Sequence, residues 1–331
     1  MSKNSIFKQI VLLIFCCLSL TISVWAQEDE KPATREISSL DFQAQRPKAA
    51  SVSAGVASLP KISNVKRKKN IAVVTNAKRR YKLINRVAAR TPKISGTVKT
   101  IKQTLKTEEF GVTFWRLRPV AADETDAPTF AVKIGNAAEE WTAERVGSTT
   151  NFQKGDRVRF TVESSRSGFL YIVNREFYAD GTTAEADLIF PTLRTRGGDN
   201  RVTAGSLIEI PASTDSVPYF TIKPRRADYA GEEIAVIISP VKLPGIELGL
   251  RAQKVNRETV EKWLRDWATT LDIYDAEDGE GIAYTANEAN AAAVQSRALT
   301  QEEPLPQTIY RVQARPDAPL VVLFRMNADR R

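Results

Sequence analysis

The fold of this chain is decided by a short alternating stretch, Arg157-Val-Arg-Phe-Thr-Val-Glu163. Its apolar residues Val158, Phe160 and Val162 stand at every second position, between charged or polar neighbours. Successive side chains of a β-strand point to opposite faces, so the pattern predicts a strand with one face in a core and the other in water. The preceding Asn151-Phe-Gln-Lys-Gly-Asp156 is typical of a turn. We therefore expect an antiparallel sheet around this stretch.

Similar short strands are predicted on both sides of it. They are rich in β-branched and aromatic residues, and residues that favour turns separate them. These strands cover 111–117, 131–134, 169–174, 188–190, 206–210, 219–223, 233–239, 308–312 and 320–326. Strands and turns at this spacing are typical of a β-sandwich. The predicted fold is mainly β: an antiparallel β-sandwich-like domain over 108–331, with one or two helices packed on it.

One helix is predicted among the strands. Asn256 is a good N-cap residue, and the acid that follows at position 258 suits the positive end of the helix dipole. Apolar residues then recur at helical spacing on one face: Val260, Trp263, Leu264, Trp267 and Leu271. Tryptophans bury large apolar areas, which favours docking onto the sheet over a ligand cage. A second, alanine-rich helix is predicted at 286–297, so the domain should carry a helical insertion at about 256–297.

The first 26 residues are typical of a secretory signal peptide. Lys3 and Lys8 form a positive start, and the apolar run at 10–20 is too short for a membrane-spanning helix. Small residues precede a predicted cleavage after Ala26, and a retained anchor is the alternative. The sequence therefore predicts an extracytoplasmic protein, periplasmic or secreted, without a transmembrane span in the mature chain.

The composition argues against several kinds of site. Cys16 and Cys17 are the only cysteines and lie in the predicted signal, so the mature chain can form neither a disulfide nor a thiolate site. The chain has no histidine, which argues against a histidine-based hydrolase and a zinc enzyme. It contains no P-loop, dinucleotide-binding glycine motif or Gly-x-Ser-x-Gly elbow. No catalytic residue, metal site or cofactor is predicted.

Positive charge is concentrated in one segment. Residues 61–107 contain 15 Lys or Arg and no acid, whereas 108–331 contain 27 Lys or Arg against 34 Asp or Glu. We expect 27–107 to be a low-order linker that includes this disordered basic arm. Apolar residues at helical spacing within 76–90 leave a short basic amphipathic helix as the alternative. The residues predicted to contact an anionic surface are Lys66, Arg67, Lys68, Lys69, Lys78, Arg79 and Arg80.

Several ordered motifs resemble those of a known bacterial family. They are Phe152-Gln-Lys-Gly-Asp-Arg-Val-Arg-Phe160, Ser167-Gly-Phe-Leu-Tyr-Ile-Val173, Tyr178-Ala-Asp-Gly181, Leu188-Ile-Phe-Pro-Thr192, Arg196-Gly-Gly-Asp-Asn-Arg-Val202, Gly205 and Ile208-Glu-Ile-Pro211. Over residues 111–240 they resemble the family called domain of unknown function 4384. The resemblance implies a secreted or envelope-associated β domain of unassigned activity, and it supplies no catalytic residues. Residues 241–331 look like a subgroup extension, and the basic arm lies outside the family pattern.

Two polar segments are candidate binding sites. The first is a glycine-containing loop whose candidate residues are Arg194, Arg196, Asp199, Asn200 and Arg201. Arginine forks and exposed backbone amides can hold a carboxylate or phosphate group, although a plain turn is the favoured interpretation. The second is an acidic run, Asp272, Asp275, Glu277, Asp278 and Glu280. Its carboxylates suit Ca²⁺, but the spacing does not match a calcium-binding loop, and a solvated loop is favoured.

These features favour a non-enzymatic binding or interaction module of the bacterial cell envelope, held on an anionic surface by its basic arm. Such an arm attracts any polyanion, but export makes anionic lipid or an envelope polymer a better partner than nucleic acid. Two alternatives stay open. A carboxylate-dependent enzyme acting on an envelope polymer predicts a cleft with two carboxylates of displaced pKa. An accessory domain of another envelope protein predicts an apolar patch outside any pocket.

Overall fold

The computed structural model describes residues 37–48, 79–87, 105–124, 127–134, 136–268, 270–293 and 297–329. Within these ranges, sixteen strands form two antiparallel sheets, and three α-helices accompany them. In the described part of the chain no helix has the length and apolar character needed to span a membrane. The predicted mainly β, sandwich-like fold with helices packed on it is confirmed.

Ten of the described strands, numbered in chain order, form the larger sheet. They are β1 Ile37–Ser38, β2 Arg80–Val87, β3 Lys106–Pro119, β4 Thr129–Ile134, β5 Ala137–Val146, β6 Arg157–Glu163, β10 Leu207–Ile210, β11 Phe220–Thr221, β14 Leu271–Ala276 and β15 Thr308–Ala314. Across the sheet the order is β1, β2, β14, β15, β3, β5, β4. Strand β6 also pairs with β3, and β10 and β11 pair with β6.

Six described strands form the smaller sheet. They are β7 Gly168–Tyr178, β8 Ala186–Phe190, β9 Arg201–Val202, β12 Tyr229–Ser239, β13 Gln253–Val255 and β16 Leu320–Asn327. Their order is β13, β8, β7, β12, β16, and β9 pairs with β7. Strand β16 is therefore the last strand on its side of this sheet.

The main core lies between the two sheets. The alternation predicted at Val158, Phe160 and Val162 is confirmed, because all three are buried in this core. Val236 of β12 and Val322 of β16 belong to the same core from the smaller sheet. Their neighbours one position along the chain belong to a second cluster on the outer face of that sheet. The period of two along each strand thus assigns its residues to two different layers.

The outer face of the smaller sheet is covered by helix α2, Arg257–Trp267. Asn256 caps this helix as predicted, and its side chain accepts a hydrogen bond from the Glu258 amide at 2.7 Å. Val260 and Trp263 are buried in the cluster on this face, and the Trp263 and Trp267 rings stack at 5.7 Å. The predicted docking of the helix onto the sheet is confirmed.

The outer face of the larger sheet is covered by two further helices and by residues 299–306. Helix α1, Ser39–Gln43, contributes Phe42 to a buried cluster with Tyr81 and Leu305. Helix α3, Ala286–Ala293, lies at a second cluster in which Tyr284 meets Trp115 edge to face at 4.8 Å. Both faces of each sheet are therefore covered over much of their area.

Buried ion pairs hold these covering segments to the larger sheet. Arg46, which follows α1, donates through Nε to Glu163 Oε1 at 2.7 Å and also donates to the backbone oxygen of Glu303 at 2.9 Å. On the other side, Arg145 of β5 pairs with Glu288 of α3. These side chains are almost fully buried, so each guanidinium depends on its carboxylate for neutralisation.

Part of the predicted basic arm is instead a strand of the larger sheet. Residues 80–87 form β2, which pairs with β14, so neither a linker nor a basic helix describes them. Tyr81 is fully buried, and its hydroxyl donates to the Pro306 carbonyl at 2.6 Å. Tyr81 and Ile84, which suggested a helix, lie on a strand because the edge of β14 pairs with β2. The folded domain accordingly includes residues before 108.

Two of the predicted surface-contact residues, Arg79 and Arg80, lie in this region, and the prediction for Arg79 is wrong. The Arg79 side chain is buried, where its Nε donates to Asp278 Oδ1 at 2.7 Å and its Nη1 donates to the Leu305 carbonyl at 3.1 Å. It therefore cannot contact a surface. Arg80 is exposed at the start of β2. Lys66, Arg67, Lys68, Lys69 and Lys78 lie outside the described residues.

The predicted helical insertion at about 256–297 is also incorrect as a unit. Leu271, expected on the helix face, begins β14, a strand inside the larger sheet between β2 and β15. Strand β5 was not predicted at all. Glu139, Glu140 and Glu144 make its sequence polar, and the first half of the strand is exposed to solvent. Pairing with β3 and β4 makes it a strand despite that composition.

Replacing Arg46 with Met should lower the free energy of unfolding by about 3–5 kcal/mol, because Glu163 would stay buried without its partner. Lys262→Met is the control, since it breaks the exposed Lys262–Asp266 pair and should cost less than about 1 kcal/mol. Urea denaturation followed by circular dichroism measures both variants. Equal losses would contradict a structural role for the buried pair.

Candidate functional site

The predicted loop site does not assemble as a converging set of side chains. Asn200 is buried, and its Nδ2 donates to the Leu170 carbonyl at 3.0 Å. Asp199 accepts a hydrogen bond from the Arg201 amide at 3.0 Å, which is an ordinary turn interaction. Arg194 and Arg201 are exposed. Of the five candidate residues, two therefore make local structural contacts and two are exposed to solvent.

Arg196 is the exception in this loop. Its backbone has a φ of +50°, and its amide donates to Asp215 Oδ1 at 2.9 Å. Its side chain is only 8% exposed, and the nearest paired carboxylate oxygen, on Asp199, lies 3.9 Å away. Among the described residues, Nη1 has no hydrogen-bond partner. Burial lowers the pKa of this guanidinium.

The acidic run is used for structure rather than for metal binding. Asp272 accepts from Arg86 Nε at 2.6 Å, and Asp278 pairs with Arg79. Asp275 is buried and accepts from the Thr308 hydroxyl at 2.8 Å, and burial raises its pKa. Within the described ranges no group of three or more acidic side chains could hold a metal ion. The run is spread over separate contacts, so it forms no calcium loop.

A cleft of about 850 Å³ opens between the two sheets beside β16. We call it the interlayer cleft. Its apolar wall comes from both sheets and is formed by Phe114, Phe152, Leu271, Ile273, Tyr310 and Phe324. Helix α2 contributes residues 261, 264 and 265 at one side, and Ala268 follows the helix there. A volume of this size is typical of a small-molecule site.

The position of β16 explains why the cleft is open. On one side this strand pairs with β12 along its length. On its other side the described residues make only isolated bridges, Ala268 with Val321 and Phe152 with Ala328. Between these bridges the edge of β16 borders the cleft. Ile84 lies opposite, at an irregularity in the pairing of β2 with β14, and it is 38% exposed.

The cleft passes around the edge of β16 and also reaches a set of charged residues on the outer face of the smaller sheet, beside α2; we call this part of its lining the mouth of the cleft. Glu233 stands between two cross-strand neighbours, accepting from Arg175 Nε at 2.5 Å and from Arg325 Nη2 at 3.1 Å. Arg175 also donates through Nη1 to Glu261 of α2 at 2.8 Å. Arg265 lies exposed on the same helix. With three guanidinium groups and two carboxylates, the mouth carries a positive excess.

The lining of the cleft offers groups that can bind a ligand. Both carboxylates at its mouth are hydrogen-bonded to arginine. Burial raises the pKa of Tyr310, so its hydroxyl stays neutral in the wall. An apolar group can be buried here, and an anionic group can be held by the arginines at the mouth.

A pair of buried carboxylates lies elsewhere, on β7 and β12. Glu176 and Glu232 are directly opposite each other across the two strands. Glu232 accepts hydrogen bonds from Tyr229 and Asn174, both at 3.0 Å. Burial raises its pKa to about 7, and the nearby Glu176 adds to the shift. Neither residue lines the interlayer cleft.

Sequence reasoning missed the residues of the cleft. They come from positions as distant as Ile84, Phe152 and Leu271, which the sequence assigned to a basic arm, a turn and a helix face. One usable signal existed: Ile84 is an apolar residue inside the basic arm, where a solvated linker has no need of one.

In comparisons with protein-family models, curated proteins and solved structures, no match to this chain was found. The resemblance to domain of unknown function 4384 therefore stays a prediction.

Replacing Glu232 with Gln should change the pH dependence of stability. A folded pKa of about 7 against 4.5 means that the folded chain holds this proton more tightly. Its contribution to stability is present below about pH 4.5 and is lost as the pH rises through 7. The free energy of unfolding of the variant, relative to that of the native chain, should therefore rise by roughly 2 kcal/mol from about pH 5 to pH 8.

Chemical denaturation at the two pH values measures this difference. Glu258→Gln is the control, since Glu258 is exposed on α2. If Glu232→Gln and Glu258→Gln show the same dependence on pH, the assignment of the titration to Glu232 fails.

Proposed function

We propose that this protein is a non-enzymatic binding module of the bacterial cell envelope whose interlayer cleft takes an amphiphile, an apolar chain with an anionic end. The observation that carries the proposal is the cleft itself, which combines an apolar wall with arginines at its mouth. Burying an apolar chain supplies binding free energy at about 25 cal/mol per Å². The arginines supply the preference for an anionic end.

Two observations support binding over catalysis. The carboxylates at the mouth, Glu233 and Glu261, are paired with Arg175. Carboxylates without a close arginine partner do not line the cleft. Glu232, which accepts from the Tyr229 hydroxyl instead, is an example. A carboxylate-dependent enzyme would place a general acid and a general base where a substrate can reach both. The pair Glu176 and Glu232 remains the one observation that favours this alternative.

The envelope location rests on the predicted signal peptide, and the surface contact rests on the basic arm. After the correction at Arg79, the residues proposed to contact anionic lipid or polymer are Lys66, Arg67, Lys68, Lys69 and Lys78 of the arm and the exposed Arg80 at the start of β2. Anionic membrane surfaces attract such clusters over distances of about a Debye length. The arm and the cleft are separate parts of the proposal.

Ile84→Glu should weaken binding of cis-parinaric acid, a fluorescent long-chain carboxylate, at least about tenfold, because it places a negative charge in the wall of the cleft. The matched control is Ile134→Glu. Ile134 is 39% exposed against 38% for Ile84, but it lies outside the cleft. Fluorescence titration measures both affinities, and circular dichroism checks that both variants fold.

A second pair of titrations tests the role of charge. The methyl ester of the probe should bind the native chain more weakly than the acid, and Arg265→Gln should reduce that difference. Equal affinity of the Ile84 and Ile134 variants, or no binding of the probe to the native chain, would contradict the proposal for the cleft.

Replacing Lys66, Arg67, Lys68 and Lys69 together with Gln should weaken binding to anionic vesicles and flatten its salt dependence, because these charges attract the lipid surface. The control replaces four exposed lysines of the domain, Lys133, Lys154, Lys223 and Lys262. Vesicle sedimentation across a salt series measures both. Equal losses would show that overall charge, and not the arm, is responsible. Truncation at residue 108 is unsuitable because it removes β2.

A further inference from the structure

Exposed apolar residues are concentrated on two loops of the domain. Among the described residues, nine large hydrophobic side chains are exposed, and four of them lie at Leu193, Val241, Leu248 and Leu250. The two loops are joined, since the Leu193 amide donates to the Gly249 carbonyl at 2.8 Å. These residues lie outside the interlayer cleft. Such a concentration is unusual on a surface that only meets water.

Leu193 and Leu248, one from each loop, lie close together beside Gly198, and Leu250 follows the Gly249 carbonyl that accepts from the Leu193 amide. A Cβ placed on Gly198 would be 3.1 Å from Leu248 Cδ1 and 3.4 Å from Leu193 Cδ2, and its φ of +85° also favours glycine. The three leucines are 47%, 50% and 61% exposed at positions 193, 248 and 250. We call Leu193, Leu248 and Leu250 the leucine patch.

The two loops that carry the leucine patch are net positive, although residues 108–331 as a whole are acidic. Residues 193–201 and 241–251 contain five Lys or Arg against two Asp or Glu. The exposed cations among them are Arg194, Arg201, Lys242 and Arg251. A negatively charged partner is therefore favoured at this surface, and a basic one is not.

Arg196 adds a specific group on the same loop. Its side chain is more than nine-tenths buried, and its Nη1 has no hydrogen-bond partner among the described residues. Gly197 and Gly198 follow it with positive φ. Since this nitrogen is closed to solvent, Arg196 adds its charge to the loop without contacting a partner directly.

We propose that the leucine patch docks the domain on an anionic lipid surface, with the leucines entering the boundary between headgroups and acyl chains and the exposed Arg194 and Arg251 contacting lipid phosphates. Exposed apolar side chains next to cations are what an anionic membrane surface attracts. The proposal does not depend on the cleft. It gives the folded domain a lipid contact of its own, beside that of the arm.

The chain offers a direct test because its mature form has no cysteine. In the chain beginning at Gln27, which retains every described residue, Leu250→Cys is labelled with an environment-sensitive fluorophore. Its emission should shift to the blue with vesicles of three parts phosphatidylcholine to one part phosphatidylglycerol. Ile134→Cys, labelled in the same way, should not shift. A shift at both positions or at neither would overturn the proposal.

Affinity measurements separate the leucine patch from the arm. In the background with Lys66, Arg67, Lys68 and Lys69 replaced by Gln, the double change Leu248→Ser and Leu250→Ser should weaken vesicle binding at least about tenfold. Ile134→Ser should not. Arg194→Gln, at an exposed position of the same loop, should reduce the preference for anionic over purely zwitterionic vesicles.

Either of two results would overturn the proposal: loss of binding that is equal in the patch and control variants, or binding of the domain to acidic polypeptide but not to vesicles. The second result would favour a docking site for another envelope protein. Binding of cis-parinaric acid in the cleft is measured without vesicles, so its failure and the failure of the leucine patch are distinguishable.

Discussion

The structure depends most on the neutralisation of arginines that are buried on the outer face of the larger sheet. Arg46 pairs with Glu163, Arg145 with Glu288, and Arg159 with Glu209. An unpaired guanidinium in such a place would cost several kcal/mol, so each carboxylate must be in position when its arginine is buried. The partners come from distant parts of the chain, and the covering segments and the sheet therefore have to fold together.

The segments that cover the sheets also decide which surfaces remain open for binding. With the outer faces covered by α2 on one side and by α1, α3 and residues 299–306 on the other, the side beside β16 stays open and forms the interlayer cleft. The Arg175, Glu233 and Arg325 set at its mouth uses the same pairing chemistry, with Glu233 equally buried and Arg325 exposed. The leucine patch lies on loops beyond the sheets, so the two proposed sites use different residues.

Much of the fold could be predicted because alternation is a local property. The strand at 157–163 has the bounds that its pattern predicted, and Asn256 caps α2 as expected. Strands β2 and β5 escaped prediction because basic or acidic residues dominate them, and their pairing partners supply what their composition lacks. The candidate loop was located correctly as a turn, but the sequence could not separate the buried Arg196 from its exposed neighbours.

By itself the sequence determined the mainly β character, the helix that begins after Asn256, the absence of histidine and of any cysteine after residue 17, and the concentration of basic residues in 61–107. Only the tertiary structure decided that 80–87 is a strand, that Arg79 is buried, and that Ile84 borders a cleft with Phe324. The physical reason is that side-chain period and composition act between near neighbours, whereas burial, ion pairing and strand edges are set by residues far apart in the chain.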